Sequence, residues 1–92
     1  MLDRNEAQER AAAFLAEQSQ SWPSSNVRII SQDCFVEGER LIAPYDRIEF
    51  LDDGDEYSRL AGNLPICVDL ATGTCSFITW AEADDYMERN LL

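Results

Sequence analysis

The side chains able to carry out chemistry in this 92-residue chain are carboxylates and thiols. The sequence holds 18 Asp and Glu residues, three Cys and seven Arg, with no His and no Lys. Such a chain has no ordinary general base near neutral pH, no Ser-His or Cys-His nucleophile and no Schiff-base lysine. Catalysis would depend on two carboxylates that converge in a pocket, for which a domain this small has little room. We therefore predict that the protein is not an enzyme; the remaining enzymatic alternative works with carboxylates alone.

The three cysteines, Cys34, Cys67 and Cys75, do not form a metal motif. They contain no C-x-x-C pair, and a zinc site needs four ligands at short paired spacings. We expect small buried apolar side chains. A four-residue loop at 70–73 would point Cys67 and Cys75 to opposite faces of a sheet, which argues against a disulfide between them. The sequence predicts no metal and no cofactor.

The net charge of −11 restricts the partners of the chain. Phosphate binding needs a basic stripe, so we expect neither nucleic acid nor an anionic membrane as a partner. A basic protein would be attracted instead. The alternative is an acidic surface that is merely well solvated.

The sequence shows no targeting or membrane-spanning segment. Its longest apolar run, residues 11–16, is far short of the roughly 20 residues that a membrane span requires. The N-terminus begins with charged residues and helix formers instead of a basic region and an apolar stretch. We predict a cytoplasmic protein.

The densest charge of the chain lies in one short loop, residues 52–56, which is the best candidate contact site. Counting from its central glycine as in an EF-hand places leucines where carboxylate ligands belong, so the loop does not match a calcium site. The alternatives are a solvated acidic loop and a contact surface for a partner. Its carboxylates are Asp52, Asp53, Asp55 and Glu56.

Capping patterns and hydrophobic spacing predict the helices that position these residues. Asp3, followed by Glu6 three residues later, predicts a helix over residues 4–18. Asp46 repeats the pattern with Glu49 and predicts a short helical turn before residue 52. A third capping box, at residues 79 and 82, opens a last helix. Its apolar stripe, which we expect to face the core, consists of Trp80, Ala83, Met87 and Leu91, with Tyr86 beside it.

Short β-rich runs between turn residues predict about four antiparallel strands. The polar segment 31–33 interrupts the first run and indicates a bulge or a split strand. Hairpin turns are expected at 37–39 and at 71–73, where Gly73 supplies a positive φ. Pro44 cannot donate to a ladder, so its strand must end there or become an edge.

Together these elements predict one α+β domain over residues 1–92, with an N-terminal helix, an antiparallel sheet and a C-terminal helix. Because each terminal helix has one apolar stripe, we expect both to pack on one face of a single sheet. The other face would then be partly open, and an exposed sheet face or edge suits protein binding.

Residues of the second half of the chain resemble the immunity protein 35 family, also called YrhB-domain proteins. The most specific part is the string A-G-N-x-P-I-x-V-D-x-x-T-G at residues 61–73. The Ala-rich first helix and the acidic last helix occupy the places that they have in that family, so the resemblance spans nearly the whole chain. The other resembling positions are Pro44-Tyr45, Phe50-Leu51, Gly54-Asp55 and Leu60.

The resemblance implies a small bacterial protein that is encoded with a polymorphic toxin, binds it and neutralises it, and it supplies no catalytic residues. We hypothesise that the loop 52–56, with Glu37 and Glu39 nearby, faces a basic cleft on the toxin and speeds encounter. Affinity would come from the aromatic side chains Trp22, Tyr45 and Tyr57. Trp22 has a second interpretation, as a lid over the edge of the core. The alternative function is a holdase-like chaperone, which some YrhB-domain proteins are thought to be.

Overall fold

In the part of the chain that the structure describes, helices and short antiparallel strands form an α+β fold, as predicted. The computed structural model describes residues 1–22, 26–54 and 64–92. No helix in these ranges is both long and apolar enough to cross a bilayer. The elements are, in order, α1 (Arg4–Ser19), β1 (Val27–Ile29), β2 (Phe35–Glu37), β3 (Arg40–Ala43), β4 (Tyr45–Arg47), α2 (Ile48–Asp53), β5 (Ile66–Asp69), β6 (Cys75–Phe77) and α3 (Trp80–Glu88).

The described strands form two antiparallel sheets, which corrects the expectation of a single one. The larger sheet has the order β2-β3-β5-β6, and β1 pairs with β4 in a separate two-stranded sheet. The polar segment Ser31–Asp33 is a 3₁₀ turn, so the first β-rich run is split, not bulged. Pro44 ends β3 as expected, because it has no N–H for the ladder. Its carbonyl accepts a 2.9 Å hydrogen bond from Ile30 N–H at the point where the chain passes into the second sheet.

The N-terminal helix α1 follows the local signals of its sequence. Asp3 Oδ1 accepts a 2.8 Å hydrogen bond from the Glu6 N–H, which satisfies one of the free donors of the first turn. Ala7, Ala11 and Leu15 are buried at intervals of four residues. Because that spacing places them on one side of the helix, α1 packs on the large sheet along this stripe.

The helices α1 and α3 lie on opposite faces of the large sheet, which corrects the expectation that they share one face. Leu41 and Ala43 of β3 belong to the cluster that contains α1. Ile42, between them, belongs to the cluster that contains α3, together with Cys67 of β5. Side chains alternate between the faces of a strand, and β3 and β5 carry apolar residues at successive positions, so both faces need cover. The face expected to be partly open is covered by α3 at Ile42, which is 0% exposed.

The β5–β6 hairpin has the predicted turn. Gly73 has a φ of 77°, the left-handed region that favours glycine. The Asp69 carboxylate accepts hydrogen bonds from the N–H groups of Ala71 (2.8 Å) and Thr72 (3.2 Å). A Cβ on Gly73 would lie 2.8 Å from Arg10 Nη1, so the turn also allows α1 to come close.

The helix α2 forms where a short helical turn was predicted, but it continues through Asp53, and Asp46 does not cap it. Asp46 lies in β4, where it pairs with Arg28 of β1, and α2 is preceded by Arg47. Asp46 is 7% exposed, and its carboxylate accepts a 2.8 Å hydrogen bond from the Arg47 N–H. The β1–β4 ladder thus holds Asp46 in a strand and moves the start of the helix to Ile48.

Candidate interaction surface

The outward side of α3 exposes large apolar side chains. Trp80 is 59% exposed and Met87 is 53% exposed. At 3.6 residues per turn they lie on one side of the helix, about 10 Å apart along its axis, with Asp84 between them. We call Trp80, Asp84 and Met87 the α3 ridge.

The opposite side of α3 is fixed to the large sheet by Ala83 and Tyr86. They are 1% and 3% exposed and pack against Ile42. The Tyr86 ring meets the Phe35 ring edge-on, with 5.2 Å between centroids. Arg40 of β3 donates a 2.8 Å hydrogen bond to the Tyr86 hydroxyl. These contacts set the rotation of α3 about its axis and direct the α3 ridge to solvent.

The predicted core stripe of the last helix is therefore wrong at three of its four positions. Ala83 is buried, whereas Trp80, Met87 and Leu91 are exposed. The helix has two pairs of apolar residues whose spacing could face the sheet, Trp80 with Met87 and Ala83 with Tyr86. The small alanine allows close approach to the sheet, and the hydrogen bond to the Tyr86 hydroxyl selects the second spacing. Neither effect is visible in the periodicity.

The end of α3 explains why Leu91 does not continue the stripe. Asn90 has a φ of 60°. The N–H groups of Asn90 and Leu91 bond to the carbonyls of Met87 (3.1 Å) and Tyr86 (2.9 Å), the two bonds of a Schellman motif. The left-handed residue turns the chain away, so the ridge ends within the helix.

Uncompensated carboxylates surround the α3 ridge. Arg89, which follows α3, is already engaged by Asp85 (3.2 Å) and Glu37 (3.4 Å), and it lies 5.2 Å from the centre of the Tyr86 ring. Asp84 and Glu88 are exposed. Among the described residues, they take part in none of the ion pairs. The ridge is thus an apolar strip with exposed negative charge on it and beside it.

A polar groove of about 360 Å³ separates α3 from the β2–β3 turn. Its three carboxylates face guanidinium groups: Glu82 lies 2.5 Å from Arg40, while Glu37 and Asp85 share Arg89. The Arg40 hydrogen bond, with a second from the Thr79 N–H, lowers the pKa of Glu82. The bond to Glu82 raises the pKa of Arg40. Both groups are therefore ionised near neutral pH, and the pair links α3 to β3.

We expect Glu82→Gln to destabilise the protein by about 0.5–1 kcal/mol at pH 7 and by less in acid. A carboxyl whose pKa is lowered on folding stabilises the fold above its unfolded pKa, about 4.3, and loses that contribution as pH falls through its lower folded pKa. Urea unfolding of both proteins between pH 7 and pH 3.5 measures the difference. The control is Glu88→Gln on the same helix, which should change little at either pH. An undiminished effect of Glu82→Gln at pH 3.5 would show that the ion pair does not stabilise the fold.

The predicted acidic contact loop lies only partly within the described residues. Asp52 and Asp53 are exposed at the end of α2, and Asp52 Oδ1 accepts a 2.6 Å hydrogen bond from Arg28 of β1. In the described ranges, no group of three or more acidic or cysteine side chains is placed to hold a metal ion. The remaining candidates of this segment, Asp55, Glu56 and Tyr57, lie outside the described residues.

The other two acidic candidates, Glu37 and Glu39, flank the β2–β3 turn at Gly38. Glu37 is held by Arg89 next to α3, whereas Asp52 is held by β1. Glu39 is exposed. The structure thus ties Glu37 to the groove beside α3 and Asp52 to the two-stranded sheet, so different elements hold the two groups of carboxylates.

The aromatic candidates in the described part belong to the core. Tyr45 is 4% exposed, which corrects its prediction as a contact residue. Trp22 is half-buried and stacks on the Tyr45 ring at 5.8 Å between centroids, with Phe77 at 6.5 Å. Because β4 turns Tyr45 into the cluster that contains α1, Trp22 closes the edge of that cluster, which is the lid interpretation.

The cysteines occupy the places expected of small apolar side chains. Cys34 and Cys67 are buried, Cys75 is half-buried, and all three are free thiols. Desolvation by burial raises the pKa of each thiol, so each stays protonated and weakly nucleophilic near neutral pH. Val68 pairs with Cys75, and Cys67 pairs with Ser76. The two cysteines therefore point to opposite faces, as predicted.

Comparison with protein-family models, curated proteins and solved structures found no match. The α3 ridge, with apolar side chains in acidic surroundings, is the described feature best suited to contact another protein. Sequence reasoning placed Trp80 and Met87 in the core. The sequence carried one signal of their exposure. The two residues are seven positions apart, on one side of a helix, and aspartate and glutamate are the neighbouring side chains.

Proposed function

We propose that the chain is an immunity protein that binds a basic toxin domain and neutralises it by occupying its surface. The observation that carries this proposal is the α3 ridge, which exposes Trp80 and Met87 next to unpaired carboxylates. Aromatic residues and methionine are enriched at protein interfaces. The resemblance of residues 61–73 to immunity protein 35 suggests a toxin as the class of partner.

Charge and apolar contact have separate roles in the proposed complex. The net charge of −11 attracts a basic surface over a distance and speeds encounter, an advantage when a toxin must be captured before it acts. Exposed rim charges add little to affinity, so dissociation is controlled by a few desolvated side chains such as Trp80. Neutralisation by occupation needs no catalytic group.

The test is coexpression with the toxin domain encoded by the neighbouring gene. We expect restored growth of the host and a stoichiometric complex in size-exclusion chromatography. The association rate should fall at least about tenfold between 20 and 500 mM NaCl because salt screens the attraction, while the dissociation rate changes little. A neutral dye-labelled protein of similar size serves as the control for salt effects on diffusion. Absence of both protection and complex would refute the proposal.

The same exposed apolar ridge also favours the second candidate, a holdase-like chaperone. A holdase would suppress the heat-induced aggregation of several unrelated proteins, measured by light scattering at equimolar concentrations. An immunity protein would leave that aggregation unchanged and bind one partner. Suppression for unrelated clients without toxin protection would replace the first proposal by the second.

A further inference from the structure

We infer that the α3 ridge docks a basic amphipathic helix of the partner protein. The identification of that partner as a toxin rests on the proposed function, whereas the docking geometry rests on α3 itself. The docking segment has apolar side chains in a heptad pattern and a lysine or arginine that faces Asp84.

The spacing of the ridge is that of a helix–helix seam. Trp80, Asp84 and Met87 are separated by intervals of four and three residues, the alternation that keeps one side of a helix against a packed neighbour. Trp80 and Met87 protrude at the two ends of a strip about 10 Å long. Such a ridge fits the groove between rows of side chains on a second helix. The occupant that matches its shape is therefore a helix.

The charge of the ridge determines the sign of the charge that the occupant must carry. Asp84 lies between the two apolar side chains and would be covered by any helix that contacts both of them. A carboxylate buried without a counter-ion is costly, so the covering segment must supply a cation. The adjacent arginine, Arg89, is engaged by Asp85 and Glu37. Because the carboxylate of Glu88 is also exposed, the covering segment needs positive charge beside the seam as well as within it.

A second copy of the chain does not meet this demand. Two ridges placed face to face would bring their Asp84 and Glu88 carboxylates together, between molecules that each carry a net charge of −11. Like charges held close in a partly desolvated interface repel. An anionic lipid surface is excluded by the same sign of charge. The ridge therefore selects a basic protein segment.

The probe is a synthetic three-heptad leucine–lysine helix, compared with a scrambled peptide of identical composition. Titration into the ¹⁵N-labelled chain should shift the amide signals of residues 80–88 and the indole N–H of Trp80. The indole N–H of Trp22, which lies in the α1 cluster, is the internal reference and should not move. We expect the scrambled peptide to bind at least about tenfold more weakly, since it offers equal charge without an apolar seam.

Variants of exposed residues test the site without affecting the core. Trp80→Ala and Met87→Ser should each weaken binding of the leucine–lysine peptide about tenfold. Val36→Ser is the matched control, because Val36 is also apolar and 50% exposed but lies on the edge strand β2. Asp84→Lys should weaken binding of the leucine–lysine peptide and strengthen binding of a leucine–glutamate peptide. Amide spectra that are unchanged away from the substituted residue verify the fold of each variant.

Several outcomes would overturn the inference. Equal binding of the scrambled peptide would show that only net charge is recognised, and shifts centred away from α3 would show that the α3 ridge is not the docking site. A dimer of the free chain that Trp80→Ala dissociates would identify a second copy as the occupant, and vesicle binding lost in Trp80→Ala would identify lipid. Toxin protection by the Trp80→Ala/Met87→Ser variant would leave the proposed function intact and refute this surface. Peptide binding at α3 without toxin protection would support this surface and refute the proposed function.

Discussion

Replacing Ile42 by aspartate is expected to remove most of the stability of the protein. Ile42 is 0% exposed and lies between the large sheet and α3, in contact with the cluster of Ala83 and Tyr86. An unpaired charge in such a site costs several kcal/mol, against a total stability of about 5–14 kcal/mol for a chain of this length. Far-UV circular dichroism and urea unfolding measure the result. The milder Ile42→Ala should still fold and lose about 2–4 kcal/mol.

The matched control for Ile42 is Ser76→Asp. Ser76 pairs with Cys67 across the ladder and so lies on the same face of the sheet, but on the edge strand β6, where it is exposed. Its replacement should change the unfolding free energy by about 0.5 kcal/mol or less. If Ile42→Asp folded with near-normal stability, this face would be open to water, as the sequence had indicated, and α3 would not cover it.

The second large effect is a difference in stability between alanine variants of Tyr45 and Trp80. Tyr45→Ala should destabilise the protein by about 3–5 kcal/mol because it removes a buried ring from between Trp22 and Phe77. Trp80→Ala should cost less than about 1 kcal/mol because most of that side chain is already in water. Both variants replace an aromatic residue with alanine, and thermal or urea unfolding of the two gives the comparison directly.

The sequence predicted the opposite assignment, with Tyr45 as a contact residue and Trp80 in the core. A loss for Trp80→Ala as large as the one expected for Tyr45→Ala would mean that α3 is rotated to bury Trp80. As an independent measurement, acrylamide should quench Trp80 fluorescence strongly, and the half-buried Trp22 should be protected. The Trp80→Ala variant, which retains Trp22 alone, separates the two signals.

Elements with strong local signals were predicted closely. The cap at Asp3 and the alanine spacing of α1 involve residues only three or four positions apart, so the sequence shows them without knowledge of distant contacts. The turn at Gly73 is equally local, since it depends on one residue that tolerates positive φ. The start of α2 was misplaced because Asp46 is paired in a strand with Arg28, a residue distant in the sequence.

The sequence predicted the acidic character of the candidate site but not its position in the fold. The excess of carboxylates and the lack of imidazole are properties of composition, and composition alone predicts a binding protein with a basic partner. The location of exposed apolar residues is different. It depends on which side of α3 meets the sheet, and that choice is made by Ile42, Phe35 and Arg40, which lie about 40 to 50 residues away.

By itself the sequence determined the charge of this protein, its α+β class and the places where α1, α3 and the hairpin turns begin, because these depend on composition and on contacts within a few residues. Only the tertiary structure decided that α1 and α3 cover opposite faces of the sheet, that Tyr45 is buried and that Trp80 is exposed. The physical reason is that β3 and β5 are apolar on both sides. Their burial requires a cover on each face, and the rotation of each cover follows from packing and hydrogen bonds between residues far apart in the chain.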